Sequence, residues 1–384
     1  MINRMIVKKA NDMAGKFPVI VVTGPRQAGK STFAKLAFPT YRYVSLENLD
    51  NRQFAQADPR GFLNHYDKYV IFDEIQNVPE LFSYLQQIVD ESGLTGQFIL
   101  SGSQNFLLLE KITQTLAGRV YHLELLPFSI AEITSQQPID VNEAIIKGGY
   151  PRIYDKNIAP IDYFPSYVKT YVERDVRTIV NVQDLAMFQS FVQLCAVYAG
   201  QAFNASEFAK KIGVSVKTIQ NWLSILEASY IVFKLKPWYR NLSKRLVKSP
   251  KLYFYDTGLL AYLLGIETTD ELIHSPAKGA LFENFALLEI FKSHNVEGKK
   301  RNFYYWRDSN GNEIDLIIEH GLKVQCVEMK YSQTVKEEFL KSLHYLDKLT
   351  TEIQFQHYLM NTQNTSQKRT NETIVSWQDA VLIG

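Results

Sequence analysis

The 384-residue chain is 46% hydrophobic and 13% aromatic, with a formal charge of +2 at pH 7. That composition excludes a disordered or low-complexity protein, and the length suggests two or three domains of roughly 150 residues. Cys195 and Cys326 lie far apart in apolar surroundings, which argues against a disulfide framework or a cysteine zinc site. No stretch reaches the roughly 18 unbroken apolar residues of a membrane span, and Met1 to Phe17 lacks a secretory pattern, so a cytoplasmic protein with no membrane partner is expected.

Val19-Ile20-Val21-Val22 predicts a buried strand ending at Thr23. It runs directly into Gly24-Pro25-Arg26-Gln27-Ala28-Gly29-Lys30-Ser31, which fits the P-loop pattern at every required position, and Ser31 to Ala37 predicts the helix behind it. Glycines let such a turn wrap a phosphate with its N–H groups inward. Lys30 suits the β and γ phosphates, the Ser31 hydroxyl suits Mg²⁺, and the helix N-terminus adds favourable partial charge. Gly24 through Thr32 is therefore the expected nucleotide segment, with ATP and Mg²⁺ as the expected cofactors.

Tyr41 to Leu46 and Tyr69 to Phe72 predict two more strands. The second ends at Asp73-Glu74, where Asp73 is expected to hold Mg²⁺ through water and Glu74 to polarise the attacking water. Pro79 opens a helix with Leu81, Leu85, Ile88 and Val89 at helical spacing, and Phe98 to Leu100 is a strand ending in Ser101-Gly102-Ser103-Gln104. Ser103, with Gln104 close behind, is the candidate for orienting the lytic water; a simple turn is the alternative. Arg119 reads either as an arginine finger or as a surface arginine, and Arg152 competes for the first role. Strands alternating with helices predict an α/β fold whose parallel sheet carries helices on both faces.

Ile161 to Tyr198 is helical in its spacing. From Asn204 to Lys251 there are ten Lys or Arg and two acids, a local +8 that leaves −6 for the rest of the chain. Within it, Asn204 to Gly213 predicts one helix, Ser215 caps a second over Val216 to Ala228, and Tyr230 to Lys236 is a strand. Helix, glycine turn, helix and β-ribbon is the winged helix-turn-helix pattern. It would place Lys217, Thr218, Gln220 and Asn221 outward, where such side chains contact phosphates and base edges. DNA is the expected partner, and a protein-docking role is the alternative.

Further on, Gly279 to His294 predicts a helix, and Asn302 to Arg307, Ile314 to Ile318 and Lys323 to Met329 predict strands, the last two forming a hairpin. The polar stretch Asn361 to Thr373 reads as a loop before a last short strand. Alternation puts Glu328 and Lys330 on one strand face, with Asp315 able to meet them across the pair, and Glu283 lies in the preceding helix.

The P-loop, the Asp-Glu and Ser-Gly-Ser strand ends, Leu-Ala-Gly-Arg-Val at 116–120, Leu-Pro-Phe-Ser at 126–129 and Gly-Gly-Tyr-Pro at 148–151 occur in an order that resembles a group of prokaryotic AAA-type ATPases. The resemblance covers nearly the whole chain. It implies a P-loop NTPase domain over residues 1–150, a helical and winged-helix domain over 151–265, and an α/β domain over 266–384 resembling the restriction-endonuclease-like PD-(D/E)XK fold. It implies an additional-strand core with Glu74 as the catalytic acid, and homo-oligomers in which one subunit's arginine serves its neighbour. In the last domain it implies that Glu283, Asp315 and Glu328 hold Mg²⁺, with Lys330 positioning or deprotonating the nucleophile. An inactive scaffold of the same fold is the alternative. The expected function is ATP-regulated action on DNA; the alternative is a nucleotide-dependent signalling switch or scaffold that grips a protein.

Overall fold

The computed structural model describes residues 2–102, 115–172, 185–238, 249–299, 302–321, 323–349 and 353–383. They fall into two compact units, Asn3–Pro127 and Phe128–Gly384, the latter grouped with Met1–Ile2.

The first unit is built on five strands, β1 (Val19–Thr23), β2 (Arg42–Ser45), β3 (Val70–Asp73), β4 (Phe98–Ser101) and β5 (Val120–Glu124), in the order β2-β3-β4-β1-β5. All four pairings are parallel. Among the described residues five α-helices accompany them: α1 (Val7–Ala14), α2 (Lys30–Ala37), α3 (Leu49–Ala57), α4 (Pro59–His65) and α5 (Leu81–Ser92). Strands β1, β3 and β4 are buried along their whole length, as a parallel sheet covered on both faces requires. On one face Val19, Val21, Phe72, Phe98 and Leu100 share a core with Phe62, Phe82 and Leu85 from α4 and α5. Ile20, Val22, Ile71 and Ile99 alternate to the other face and are equally buried. This is the P-loop NTPase fold. Strand β5 and helix α1 were not legible beforehand: β5 is an edge strand with a mixed exposure pattern and no apolar run.

The second unit carries a mixed sheet whose strands lie in the order Gln367–Lys368, Glu372–Ser376, Gln354–Asn361, Lys323–Lys330, Glu313–His320, Phe303–Arg307, Val232–Pro237 and Lys251–Phe254. Directly before it, among the described residues, come α6 (Leu185–Val197), α7 (Ala205–Ile212) and α8 (Val216–Ala228), which share an aromatic core of Phe188, Phe191, Phe208 and Trp222. Asn204 caps α7, Gly213 ends it with φ +83°, and Ser215 caps α8. Strands β6 (Val232–Pro237) and β7 (Lys251–Phe254) then pair antiparallel. Helix α9 (Thr257–Leu263) leads to α10 (Lys278–Glu297), which is buried nearly all round.

Strands β8 (Phe303–Arg307), β9 (Glu313–His320) and β10 (Lys323–Lys330) follow as antiparallel neighbours, so the expected hairpin is present. Helix α11 (Lys341–Asp347) precedes β11 (Gln354–Asn361), which runs parallel to β10. That strand is not legible in the sequence, because its first half, Gln-Phe-Gln-His, breaks the apolar pattern. The stretch Asn361 to Thr373, expected to be a loop, contains β12 (Gln367–Lys368), paired with the anticipated last strand β13 (Glu372–Ser376). No helix among the described residues is long and apolar enough to cross a membrane.

Candidate functional site

The parallel register brings the carboxyl ends of the first unit's strands level, with Ser45 opposite Asp73 and both Asp73 and Val22 opposite Ser101. Ligands bind at this end of open α/β sheets. The P-loop leaves β1 here. Gly24 has φ +144° and Gly29 +86°, and a Cβ on Gly24 would lie 2.1 Å from the Leu125 carbonyl oxygen. Gln27 also adopts a left-handed conformation, with φ +61°. Lys30 opens α2 and is buried under the loop, donating to the carbonyls of Gly24 (3.0 Å) and Pro25 (2.8 Å). Burial lowers its ammonium to about 8, against the opposing pull of Glu74 and Asp73. Arg26 and Gln27 are half-buried, Pro25 and Ala28 buried, and Thr32 exposed.

Asp73 is the hub. Its carboxylate accepts hydrogen bonds from Ser31 (2.6 Å) and Tyr43 (2.5 Å) on Oδ2 and from Ser101 (2.5 Å) on Oδ1. Burial and the bond to Asp73 raise the Tyr43 phenol above its ordinary range, so it stays a donor. Tyr43 and Ser101 were not singled out from the sequence. The signal for Ser101 was its place at the last residue of a strand that pairs with the one ending in Asp73. Ser103 and Gln104 lie outside the described residues.

Glu74 follows Asp73 in the left-handed region, φ 54° and ψ 45°, a conformation rarely adopted by a non-glycine residue and often found where chemistry is done. Gln76 donates to its carboxylate. Arg119 is not brought to the P-loop. Its carbonyl accepts from Val19 at the opposite end of β1, and its guanidinium forks onto Asp90 at 2.5 and 2.8 Å. The cradle fits a Mg-nucleotide: glycine conformations open the backbone, one ammonium lies beneath the turn, and a hydroxyl stands beside a carboxylate.

In the second unit, Lys217, Gln220 and Asn221 are exposed on α8 as expected, while Thr218 is half-buried and bonded to Ser215. Arg240, Lys244, Arg245 and Lys248 lie outside the described residues. Lys211 pairs with Glu207 and Lys234 with Glu227, each at 2.8 Å. Lys251, counted by sequence with the basic stretch, is buried at 3% exposure instead.

It is buried among the C-terminal carboxylates. Lys251 Nζ lies 2.5 Å from Glu313 and 3.3 Å from Glu283, and Tyr253 donates to the same Glu283 oxygen at 2.6 Å. Lys330 Nζ is 2.5 Å from Glu328 Oε1 and 3.9 Å from Asp315, whose Oδ2 accepts from the Met329 amide. Burial and the Asp315 charge push Glu283 up to about 7 and Glu328 to about 8. Burial alone would lower Lys251, but Glu283, Asp315 and Glu313 hold it above the ordinary lysine range. Glu328 Oε2 is buried without a hydrogen-bond partner. An orphaned oxygen on one of two buried acids, both with raised pKa values, fits a divalent cation. As the side chains stand, however, no three acids, histidines or cysteines among the described residues are gathered closely enough to hold one.

A family model described as an AAA domain matches residues 16–134, and two described as domains of unknown function (DUF8612 and DUF4143) match 139–270 and 278–379. The uncharacterized protein Rv2008c of Mycobacterium tuberculosis is 31% identical over 323 residues, spanning 83% of this chain and 71% of that protein. An uncharacterized Haemophilus influenzae protein is 22% identical over 350 residues, 81% of this chain and 82% of its own. Among solved structures, the Walker-type ATPase PABY2304 of Pyrococcus abyssi aligns over 69% of this chain and 96% of its own with a TM-score of 0.47 and 13% identity. DnaA of Aquifex aeolicus bound to AMPPCP aligns over 58% and 86%, with a TM-score of 0.31 and 15% identity.

Proposed function

We propose a function from one premise: the chain belongs to the family of the M. tuberculosis protein Rv2008c, with an AAA domain at its amino-terminal end. It is an AAA-type P-loop ATPase. In our reading, residues 1–150 hydrolyse ATP, 151–265 form a helical and winged-helix part, and 266–384 form a nuclease-like part. The observation that carries the reading is the Ser31–Asp73 hydrogen bond at 2.6 Å beside the buried Lys30.

Gly24 to Thr32 wrap the phosphates with their amides, and Lys30 leaves its two carbonyl partners for the β and γ oxygens. Ser31 and Asp73 hold Mg²⁺, which neutralises phosphate charge when bound. Glu74 draws a proton from the attacking water, and Ser101 keeps Asp73 oriented. Arg119, at the far end of β1, serves only in an assembly where it faces a neighbour's nucleotide. The test is Mg²⁺-dependent ATP turnover. Lys30→Ala should lose binding or turnover, and Glu74→Gln should bind ATP without hydrolysing it; full turnover by both variants refutes the assignment.

Nucleotide state regulates action on DNA, gripped by α8 through Lys217, Gln220 and Asn221. In the last domain Glu283, Asp315 and Glu328 hold a divalent ion that supplies Lewis acidity, and Lys330 positions the nucleophile. DNA retention should fall steeply with salt. A second reading, a switch that grips a protein, is favoured by the internal pairing of Lys211, Lys234 and Lys251, which thins the positive surface. Salt-insensitive or absent DNA retention selects it.

A further inference from the structure

Lys330 is one lysine of the carboxylate centre, and the structure buries a second one in it. Lys251 reaches Glu283 on α10 and Glu313 on β9 from strand β7, at 3% exposure, with its ammonium 5.4 Å from the centre of the Tyr305 ring. An ammonium so placed gives up its hydration, and only the carboxylates around it make that tolerable. Asp315 adds to its field from the same side.

The two lysines divide the acids between them. Lys330 takes Glu328 and, at longer range, Asp315; Lys251 takes Glu283 and Glu313. This division accounts for two facts that otherwise conflict. The buried Glu328 Oε2 has no partner, as in a site made for a cation. Yet among the described residues no three carboxylates converge, because Glu283 is turned to Lys251 and Tyr253.

We propose that Lys251 is a built-in competitor for the divalent ion: its ammonium holds Glu283 away from Asp315 and Glu328, and the ion binds only by displacing it. The proposal rests on the reading of Glu283, Asp315 and Glu328 as metal ligands. Glu313 has a distinct part in it. On the rim, with its side chain 28% exposed and Arg307 at 3.5 Å, it is the anion to which the displaced ammonium withdraws. Like charges a few ångströms apart in a poorly hydrated site repel strongly, so each lysine position tells on metal affinity.

Binding of Mn²⁺ to the nucleotide-free full chain, followed by the paramagnetic resonance of the free ion, tests this with and without duplex DNA. Lys251→Gln should bind Mn²⁺ at least about tenfold more tightly than wild type, and Asp315→Asn placed on it should remove that site. Glu313→Gln should act in the opposite direction, weakening Mn²⁺ several-fold by leaving Lys251 on Glu283, and it keeps the test alive if Lys251→Gln does not fold. A merely structural lysine would make both changes weaken binding or leave it alone. A site removed by Asp315→Asn but unchanged or weakened by Lys251→Gln overturns the proposal and leaves the metal reading intact. No Asp315-dependent site in any of these proteins overturns both.

Discussion

Ser101 Oγ and Asp73 Oδ1 lie 2.5 Å apart across neighbouring strand ends, opposite each other in the parallel register of β3 and β4. Ser31 and Tyr43 occupy the other carboxylate oxygen, so three hydroxyl donors fix Asp73 before any metal arrives. Orientation costs paid in advance raise the rate of the step they serve. Ser101→Ala should leave nucleotide affinity in the absence of Mg²⁺ unchanged while lowering kcat by about tenfold and raising the Mg²⁺ needed for half-maximal turnover. Titrating Mg²⁺ against ATPase rate reads both. An unchanged Mg²⁺ requirement would show that Ser101 does not orient Asp73.

Tyr43→Phe removes a donor but keeps the ring over which Lys35 sits at 3.6 Å. Stability should therefore change little, while the Mg²⁺ requirement moves in the same direction as for Ser101→Ala. The double variant should exceed neither single loss by the full sum, because both hydroxyls act on one carboxylate.

Gly24→Ala tests the cradle itself. The added methyl would meet the Leu125 carbonyl oxygen at 2.1 Å, and φ +144° is strained for any residue with a Cβ. Leu125 cannot retreat easily, because its amide donates to Thr23 at 2.8 Å within the β1–β5 pair. Loss of ATP binding with a thermal unfolding midpoint lowered by several degrees is expected, and calorimetry with and without ATP separates the two effects.

The P-loop was legible in the sequence because its chemistry is local: eight consecutive residues carry the glycines, the lysine and the hydroxyl, and the strand before them is a continuous apolar run. Asp73-Glu74 was legible for the same reason. What sequence could not give was partnership across the sheet. Ser101 and Tyr43 reach Asp73 through register, 28 and 30 residues away. Lys251 read as one more positive charge in a basic stretch, because the acids that bury it are 32 residues away or more, on a helix and a strand formed later in the chain. Short-range pattern gives the elements; the ion pairs that define a site are set by which elements pack.

A buried ion pair anchors the chain just beyond the first unit. Lys292 donates to the Phe128 carbonyl and to Glu289, each at 2.8 Å, and Glu289 accepts from the Ile130 amide at 2.7 Å. Lys292→Met would strand the Glu289 charge and the Phe128 carbonyl in the interior, at a cost of about 3–5 kcal/mol. Adding Glu289→Gln should recover part of that loss, since the amide still accepts from Ile130 without carrying a charge. Chemical denaturation of the three proteins checks the order; a double variant no more stable than the single one would mean the pair is not the source.

Lys30 makes nucleotide binding depend on pH in a direction that can be worked out. In the free protein its ammonium titrates at about 8, lowered chiefly by burial. Phosphates beside it favour the charged form, so the complex holds the proton to higher pH. Below about pH 7 the lysine is charged in both states and affinity is flat. Above pH 8 binding must first take up a proton, and affinity should fall by roughly tenfold per pH unit, to about one tenth at pH 9. The same shift makes the free protein gain stability as pH rises from about 8 towards the ordinary lysine value, because the unfolded chain keeps the proton that the folded one sheds. Calorimetric titration with ATP at pH 9 in two buffers of different ionisation enthalpy should register close to one proton taken up, against none at pH 7. Equal proton uptake at both pH values would mean that Lys30 is not the group beneath the phosphates.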